Sequence, residues 1–149
     1  MDGRSGPFWD GVEGRAPVPR AAATLGFEFL GADVAAGTID VAFTATEAFT
    51  NPAGNVLGAF VAAMLYDTVG PALLATLEPD QFQSTLQLDV TFLRPVRPGR
   101  LLGHGRIRHR DGDVALLEAA IVDPRQQETV ATATAVARVI ALAAAATAV

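Results

Sequence analysis

Alternating apolar and polar residues predict several β-strands along the chain. The clearest case is residues 38–44, in which every second side chain is apolar and points to one face of the strand. The strand-like pattern begins near residue 25, so an earlier strand is expected before this one. Four later strands are predicted over residues 85–92, 101–110, 113–122 and 129–140. The Asp111-Gly112 pair between the second and third of these four is a strong hairpin signal.

A long apolar segment, residues 57–77, separates the first two strands from the last four. Its length would suit a membrane span, but it contains Asp67, which would cost about 2.5–3.5 kcal/mol at the centre of a bilayer, and no basic loop flanks it. We therefore interpret it as a helix buried inside a soluble protein. This order of elements predicts an α+β domain in which a curved antiparallel sheet wraps around one long central helix.

The length of 149 residues predicts a single domain. Residues 1–21 are rich in Gly, Pro and Ala and form a lead-in, for which a short helix or irregular structure is expected. Residues 22–140 form the domain, and residues 141–149 form an Ala-rich tail.

Composition excludes several kinds of site. The chain has no cysteine, which removes disulfides, thiolate metal sites and a cysteine nucleophile. It has only two histidines, so neither a metal nor a cofactor is expected. The net charge of −5 argues against a nucleic-acid partner. The N-terminus lacks the pattern of a signal peptide, so a cytoplasmic location without a membrane partner is expected.

Asp67 is the first candidate for chemistry. Its helical neighbours three and four positions away are Ala63, Met64, Gly70 and Pro71, and none of these side chains can pair with a carboxylate. A buried carboxylate without a partner has a raised pKa and is typical of functional sites. The alternative is a structural carboxylate that is paired with backbone amides or with an arginine from elsewhere in the fold.

The loop before the helix is the second candidate. Residues 51–58 contain Gly54 and Gly58, which permit close backbone approach, and the first N–H groups of the helix are free to stabilise a developing oxyanion. The alternative is an ordinary turn in which Asn55 caps the helix.

A run of arginines is the third candidate. Six of the eleven arginines and both histidines fall within residues 94–110, and His104, Arg106, Arg108 and Arg110 share one strand face by period two. Such a stripe suits phosphate groups. The alternative is a solvated face whose arginines pair with Glu118 and Asp113 on the neighbouring strand.

These features together resemble a known family. The segment NPAGNVLGAF (51–60), followed by AMLYDT (63–68), is similar to the motif of hotdog-fold acyl-CoA thioesterases of the PaaI-like branch. That motif has Asn, two residues, Gly, two residues, His or Gln, two Gly, and then Asp on the helix. The segments LDVTFLRP (88–95) and TATA (132–135) are similar to the family as well, so the resemblance covers about residues 22–140.

The resemblance implies a hotdog fold and hydrolysis of an acyl-CoA thioester. In the implied mechanism, the Gly58 N–H polarises the thioester carbonyl, Asp67 activates water or attacks directly, and Asn51 helps to hold the water or the carbonyl. The site of this family lies between two subunits, so a homodimer or homotetramer is implied.

The resemblance also implies where the substrate binds. Ser84 or Thr85 of a second subunit would complete the site, and Arg106 and Arg108 would hold the phosphates of CoA. The apolar side chains that would form a pocket for the acyl group are Phe60, Met64, Leu65 and Phe92.

The chain departs from the motif at three positions. Leu57 stands where the family has His or Gln, Ala59 replaces the second Gly, and Tyr66 falls on the gap-free position of the reacting Asp. One helical residue corresponds to about 100° of rotation, so whether Asp67 or Tyr66 occupies that position stays open. Leu57 and Tyr66 are expected to contact the substrate. Two alternatives remain: a hotdog protein that binds an acyl-CoA without hydrolysing it and, less favoured, a hotdog dehydratase.

Overall fold

The computed structural model describes residues 4–148. Its helices are α1 (Pro7–Val12), α2 (Arg20–Thr24) and α3 (Gly58–Leu74). Its strands are β1 (Glu28–Asp33), β2 (Thr38–Ala45), β3 (Gln81–Phe92), β4 (Gly99–Asp111), β5 (Val114–Asp123) and β6 (Glu128–Ala141). Two short 3-10 turns, Glu47–Phe49 and Leu142–Ala144, follow β2 and β6.

The six strands form one antiparallel sheet in the order β1-β2-β4-β5-β6-β3, and α3 packs across its inner face. Alternation along the strands explains this arrangement, because inward positions such as Val41 and Leu101 are fully buried while the preceding residues, Asp40 and Arg100, are exposed. This is the hotdog fold, and the predicted order of two strands, one long helix and four strands is confirmed.

Two glycines of β4 allow α3 to lie close to the sheet. A Cβ atom on Gly103 would lie 2.7 Å from the Thr68 hydroxyl oxygen, and one on Gly105 would lie 3.0 Å from the Thr68 carbonyl oxygen. Thr68 is therefore fully buried against β4, and its hydroxyl donates to the Met64 carbonyl at 2.7 Å. This contact fixes the rotation of α3 about its axis and turns Asp67, about 100° around the helix, away from β4.

The central helix is shorter than predicted. It begins at Gly58 and ends at Leu74, whereas the apolar pattern extends from 57 to 77. Beyond Leu74 the chain makes tighter turns, and the Leu77 N–H donates to the Leu74 carbonyl at 3.1 Å. The helix does continue through Pro71, which has no N–H to donate to the Asp67 carbonyl.

The N-terminal lead-in contains two short helices, and α1 is attached to the end of α3. The Trp9 Nε1–H donates to the Ala75 carbonyl at 3.1 Å, and the Trp9 ring meets Phe8 and Phe29 edge to face. Helix α2 crosses the predicted boundary between residues 21 and 22, and β6 ends one residue beyond the predicted boundary at residue 140. Among the helices of residues 4–148, none is both long enough and apolar enough to cross a membrane.

Candidate active site

A chamber of about 660 Å³ lies between the N-terminal segment, α3 and β3. We call it the Asp67 chamber. Its polar lining includes Asp67 and Tyr66 from α3 together with Gln83 and Ser84 from β3. Its principal apolar lining residues are Phe8, Val12, Phe27, Phe29, Phe82 and Ile140. An apolar cavity of this size with a few convergent polar groups is typical of a small-molecule site.

Asp67 places an unpartnered carboxylate oxygen in this chamber. Its Oδ2 atom is buried and has no hydrogen-bond partner within residues 4–148. Burial raises the pKa of Asp67 from 3.8 to about 6, because the charged form is poorly solvated there. Asp67 as a whole is half-buried, so the predicted burial applies to its Oδ2 atom. An acid of this pKa suits proton transfer near neutral pH.

Ser84 is another lining residue of the Asp67 chamber and belongs to the same chain as Asp67. Its side chain is only 7% exposed, and its Oγ atom has no hydrogen-bond partner in the described part of the chain. The expectation that Ser84 or Thr85 of a second subunit completes the site stays a prediction. Thr85 does not line the chamber, and its hydroxyl donates to the Gln83 Oε1 atom at 3.0 Å.

Tyr66 and Asp67 differ in exposure although they are adjacent. Tyr66 also lines the chamber, but it is 47% exposed, whereas the Asp67 Oδ2 atom is buried. The rotation of one residue thus directs the aromatic ring partly into solvent and the carboxylate inward.

The beginning of α3 lies apart from the chamber. Gly58 starts the helix, Leu57 is the N-cap residue without a side-chain cap, and neither lines the chamber. Asp67 lies nine positions after Gly58, which corresponds to about 13–14 Å along the helix axis. A thioester carbonyl must lie about 3 Å from both the reacting group and the oxyanion donor. Gly58 and Asp67 of one chain therefore do not meet at one carbonyl.

Gly58 also has a structural reason to be glycine. A Cβ atom there would lie 3.2 Å from the ring of Phe92. Leu57 is 44% exposed, which leaves its side chain free to contact a ligand or a second subunit.

Asn51 folds its own loop. Its Oδ1 atom accepts hydrogen bonds from the backbone N–H groups of Ala53 at 3.0 Å and Asn55 at 3.1 Å. This oxygen is therefore occupied by the turn. The alternative prediction that Asn55 caps α3 is wrong, because the N-cap is Leu57 and the Asn51 amide group holds the backbone of Asn55 inside the loop.

The arginine stripe lies on the outer face of the sheet, opposite α3. Both Arg106 and Arg108 contact Glu118, the latter at 3.8 Å between Nη1 and Oε2. His104 Nδ1 lies 2.6 Å from Asp40 Oδ1. The pairing with Glu118 matches the alternative of a solvated face. Strand β4 also has a register shift at Arg108, so the strict period of two ends there.

Most of these groups, but not Arg108, line a second cavity of about 610 Å³, which we call the outer groove. It contains Asp40, His104, Arg106 and Glu118, but not Asp67. Within residues 4–148, no group of three or more His, Asp or Glu side chains is arranged to hold a metal ion.

The apolar pocket predicted from the sequence is placed differently. Met64 and Leu65 are fully buried core residues, and Phe60 stacks on Phe49 at 4.1 Å between ring centroids. The chamber is instead lined on one side by the N-terminal segment, which the sequence pattern indicated only as a lead-in. The Phe8-Trp9 pair in that segment was the available signal, since two large aromatic residues in a Gly- and Pro-rich stretch need a surface to cover.

Comparison with known proteins gives the family. The sequence matches the model of the Thioesterase superfamily over residues 53–130, more than half of the chain. A phenylacetic acid degradation-related protein from Ralstonia eutropha JMP134 is 38% identical, with a TM-score of 0.85 over 88% of this chain and 98% of that one. A search of curated proteins gave no match.

More distant structures share the fold. The Escherichia coli PaaI protein from the phenylacetic acid degradation operon is 21% identical, with a TM-score of 0.78 over 89% of this chain and 93% of that one. A thioesterase family protein from Silicibacter pomeroyi is 20% identical, with a TM-score of 0.79 over 91% of this chain and 99% of that one. The chain belongs to the thioesterase superfamily, as a PaaI-like protein of the hotdog fold.

Proposed function

We propose that the protein hydrolyses acyl-CoA thioesters and that Asp67 is the reacting carboxylate. Membership of the superfamily assigns thioester hydrolysis in general. The observation that supports this role for Asp67 is its unpartnered, buried Oδ2 atom at the wall of a mainly apolar chamber. A buried carboxylate is costly unless a ligand or reaction uses it.

In the proposed reaction, the acyl group enters the Asp67 chamber and the thioester carbonyl lies beside the carboxylate. With a pKa of about 6, Asp67 is mainly ionised at neutral pH and accepts a proton from water as the water oxygen attacks the carbonyl carbon. The tetrahedral intermediate then expels CoA thiolate, which takes up the proton, and the free acid leaves. Direct attack by the carboxylate, followed by hydrolysis of the anhydride, is the other course open to the same group.

We propose that a second copy of the chain supplies the oxyanion donors. Gly58 of one copy lies too far from its own Asp67, so the helix start of a partner would have to approach the chamber. Strand β3 is at the edge of the sheet, and three exposed apolar residues lie on it or directly after it. These are Leu86, Phe92 and Leu93, which are 43%, 56% and 53% exposed. An apolar edge strand of this kind favours pairing with another copy.

A thiol-release assay tests the proposal. The panel would contain straight-chain acyl-CoAs and phenylacetyl-CoA, since the names of two structural relatives refer to phenylacetic acid degradation. We expect Asp67→Asn to lower kcat by about 10²–10⁴ while ligand binding persists. Asp40→Asn, which alters a carboxylate of the outer groove, is the matched control and should leave kcat unchanged. Full activity of Asp67→Asn would remove Asp67 from the mechanism.

Light scattering tests whether the protein forms the dimer that a shared site requires. We expect at least a dimer at micromolar concentration, and a monomer that retains full activity would contradict a shared site.

A second candidate function is binding of an acyl-CoA without hydrolysis. It is favoured by Leu57 at the family's His or Gln position and by Tyr66 at the gap-free Asp position. Tyr66→Asp separates the two functions. If the parent binds acyl-CoA but releases no thiol, and the variant gains hydrolysis, the chain is a binding protein that has lost the reacting acid.

A further inference from the structure

Gln83 carries a buried hydrogen-bond donor in the Asp67 chamber that the proposed reaction does not use. It lines the chamber, and its side chain is only 8% exposed. Its Oε1 atom accepts a hydrogen bond from the Thr85 hydroxyl at 3.0 Å, which is the only hydrogen bond of this carboxamide within residues 4–148. Thr85 therefore orients the carboxamide, and the Nε2–H groups are left to donate.

The register of β3 directs the Gln83 side chain towards α3. Gln83 pairs with Val139 of β6, and Val139 is buried, so both side chains lie on the inner face of the sheet. A Cβ atom on Gly70 would lie 3.0 Å from the Gln83 Nε2 atom. The amide nitrogen therefore occupies the space beside α3 that a side chain at position 70 would fill.

The chamber follows α3 from Asp67 past Gly70. Its α3 lining residues fall between Tyr66 and Leu74, so the chamber extends from Asp67 towards the C-terminal end of the helix. Residues three positions apart on a helix are neighbours on one face, with Cβ atoms about 5–6 Å apart. Gly70 follows Asp67 by three positions, so the Gln83 amide lies about one helical turn beyond the carboxylate. An acyl chain whose carbonyl lies at Asp67 and whose tail fills the chamber therefore passes this amide.

An unsubstituted acyl chain leaves the Gln83 donor unpaired. Such a chain displaces water from the amide and offers no hydrogen bond in return, which is costly for a buried N–H group. An acyl chain with an oxygen acceptor at that point restores the hydrogen bond. Sites that hydrogen-bond a substrate group discriminate strongly against the analogue that lacks it.

The charges of the chamber restrict the acceptor further. The described lining residues include the acidic Glu28 and Asp67 but no arginine, so a second carboxylate on the acyl group would be repelled. A ketone oxygen is neutral and meets no such repulsion. Because it is an acceptor without a proton of its own, it matches an amide that faces the chain as a donor.

On this basis, and resting on the proposed acyl-CoA hydrolysis, we propose that Gln83 is a specificity-determining residue that selects oxoacyl thioesters, whose chain carries a ketone oxygen a few carbons beyond the thioester carbonyl. The Gln83 Nε2–H group donates to the ketone oxygen, and Thr85 holds the carboxamide in the orientation that this contact requires. Neither residue takes part in the proton transfer at Asp67.

Kinetics on matched esters test this selection. The substrates are octanoyl-CoA and its 3-oxo, 4-oxo and 5-oxo derivatives, which differ only in the presence and position of the ketone. We expect the parent to favour at least one oxo ester over octanoyl-CoA by about 10-fold in kcat/KM. Gln83→Met, which retains the length of the side chain but has no donor, should bring that ratio to about 1.

The matched control is Gln87→Met, which makes the same change on the same strand at an exposed residue outside the chamber. It should retain the ratio of the parent. Thr85→Val removes the hydroxyl that holds Oε1, so its ratio should lie between those of the parent and Gln83→Met. Thermal melting shows whether the variants are folded.

Two outcomes of these kinetics would overturn the proposal. One is an equal kcat/KM of the parent on all four esters, which needs no variant. The other is an oxo preference that survives in Gln83→Met, whether or not the overall rate falls, because it would assign Gln83 to the structure or to the reaction. A ratio that is unchanged in Thr85→Val would overturn the part of the proposal that concerns Thr85.

Binding of hydrolysis-resistant thioether analogues distinguishes this proposal from the proposed function. Calorimetry with the parent and Gln83→Met should show the same Gln83-dependent preference for the oxo analogue over S-octyl-CoA. If the parent binds with that preference but releases no thiol from any ester, hydrolysis fails and the selectivity of the chamber stands. If thiol is released but neither assay shows the preference, the proposed function stands and the role of Gln83 is wrong.

Discussion

The Asp67 chamber and the outer groove are similar in volume, about 660 and 610 Å³, but opposite in the state of their polar groups. In the outer groove, His104 contacts Asp40 and Arg106 contacts Glu118, so these polar side chains pair with one another. In the chamber, the buried oxygens of Asp67 and Ser84 have no partner within residues 4–148.

This difference shows that the volume of a cavity alone does not identify the functional site of this protein. Exposed pairs such as those of the outer groove cost little to maintain and contribute about 0–1 kcal/mol each. Buried polar atoms without partners destabilise the folded state, so their presence calls for a ligand, water or a reaction. The Asp67 chamber is therefore a better candidate for the functional site than the outer groove, although the outer face of the sheet has more charged residues.

The pH dependence of the rate gives the largest expected effect. Burial raises the pKa of Asp67 to about 6, and the proposed reaction needs the ionised form. We expect kcat/KM to be constant above about pH 7 and to fall about tenfold per pH unit below about pH 6. A pH–rate profile from pH 4 to 8 measures this. A profile that stays flat down to pH 4.5 would contradict a role for the Asp67 carboxylate in the chemistry.

The stability of Asp67→Asn gives the next largest effect. Because the pKa of Asp67 is raised in the folded state, its contribution to stability is fully present below about pH 3.8 and is lost as the pH rises through about 6. At pH 7 the variant should therefore be more stable than the parent, by on the order of 1–3 kcal/mol, and the difference should shrink in acid. Urea unfolding at pH 7 and pH 4 measures it.

Asp40→Asn is the comparison on the outer face. It removes one partner of an exposed contact with His104, so it should change the free energy of unfolding by less than about 1 kcal/mol.

A loss of about 3–5 kcal/mol in Asp67→Asn would instead mean that Asp67 is a paired structural carboxylate.

Trp9→Phe tests whether the N-terminal segment closes the chamber. The change retains a large ring but removes the N–H that donates to the Ala75 carbonyl at 3.1 Å. A carbonyl left unpaired in a buried place costs about 1–3 kcal/mol, so we expect a loss at the lower end of that range, near 1 kcal/mol, together with a raised KM. Chemical unfolding and steady-state kinetics measure the two effects. An unchanged KM in a destabilised variant would separate the segment from substrate binding.

Local patterns explain why much of the fold was predictable. The inward alternation of β2 and the hairpin at Asp111-Gly112 depend on neighbouring residues, and both are present in the structure. Asp67 was identifiable for the same reason, since the residues one turn away on its own helix offer it no side-chain partner. The family motif then specified the topology that alternation alone leaves open.

Long-range contacts explain what the sequence did not reveal. The Trp9–Ala75 hydrogen bond joins residues 66 positions apart, so no local pattern indicates that the lead-in closes a chamber. The cap of α3 was mispredicted because two asparagines compete in one loop, and Asn51 holds Asn55 inside it. The register shift at Arg108 likewise follows from pairing with β5 and not from the sequence of β4 alone.

The smallest effect is expected on the outer face. The stripe of Arg106 and Arg108 was predicted to bind CoA phosphates, but both contact Glu118 on the face of the sheet opposite α3. We therefore expect the double change Arg106→Ala and Arg108→Ala to leave KM for acyl-CoA within about twofold and to cost less than about 1 kcal/mol of stability. The measurement is KM at low and high salt. The contrary outcome is a KM that is raised at low salt and approaches the parent's value at high salt, with kcat unchanged. It would show that these arginines bind the CoA phosphates, because salt screens exposed charge pairs.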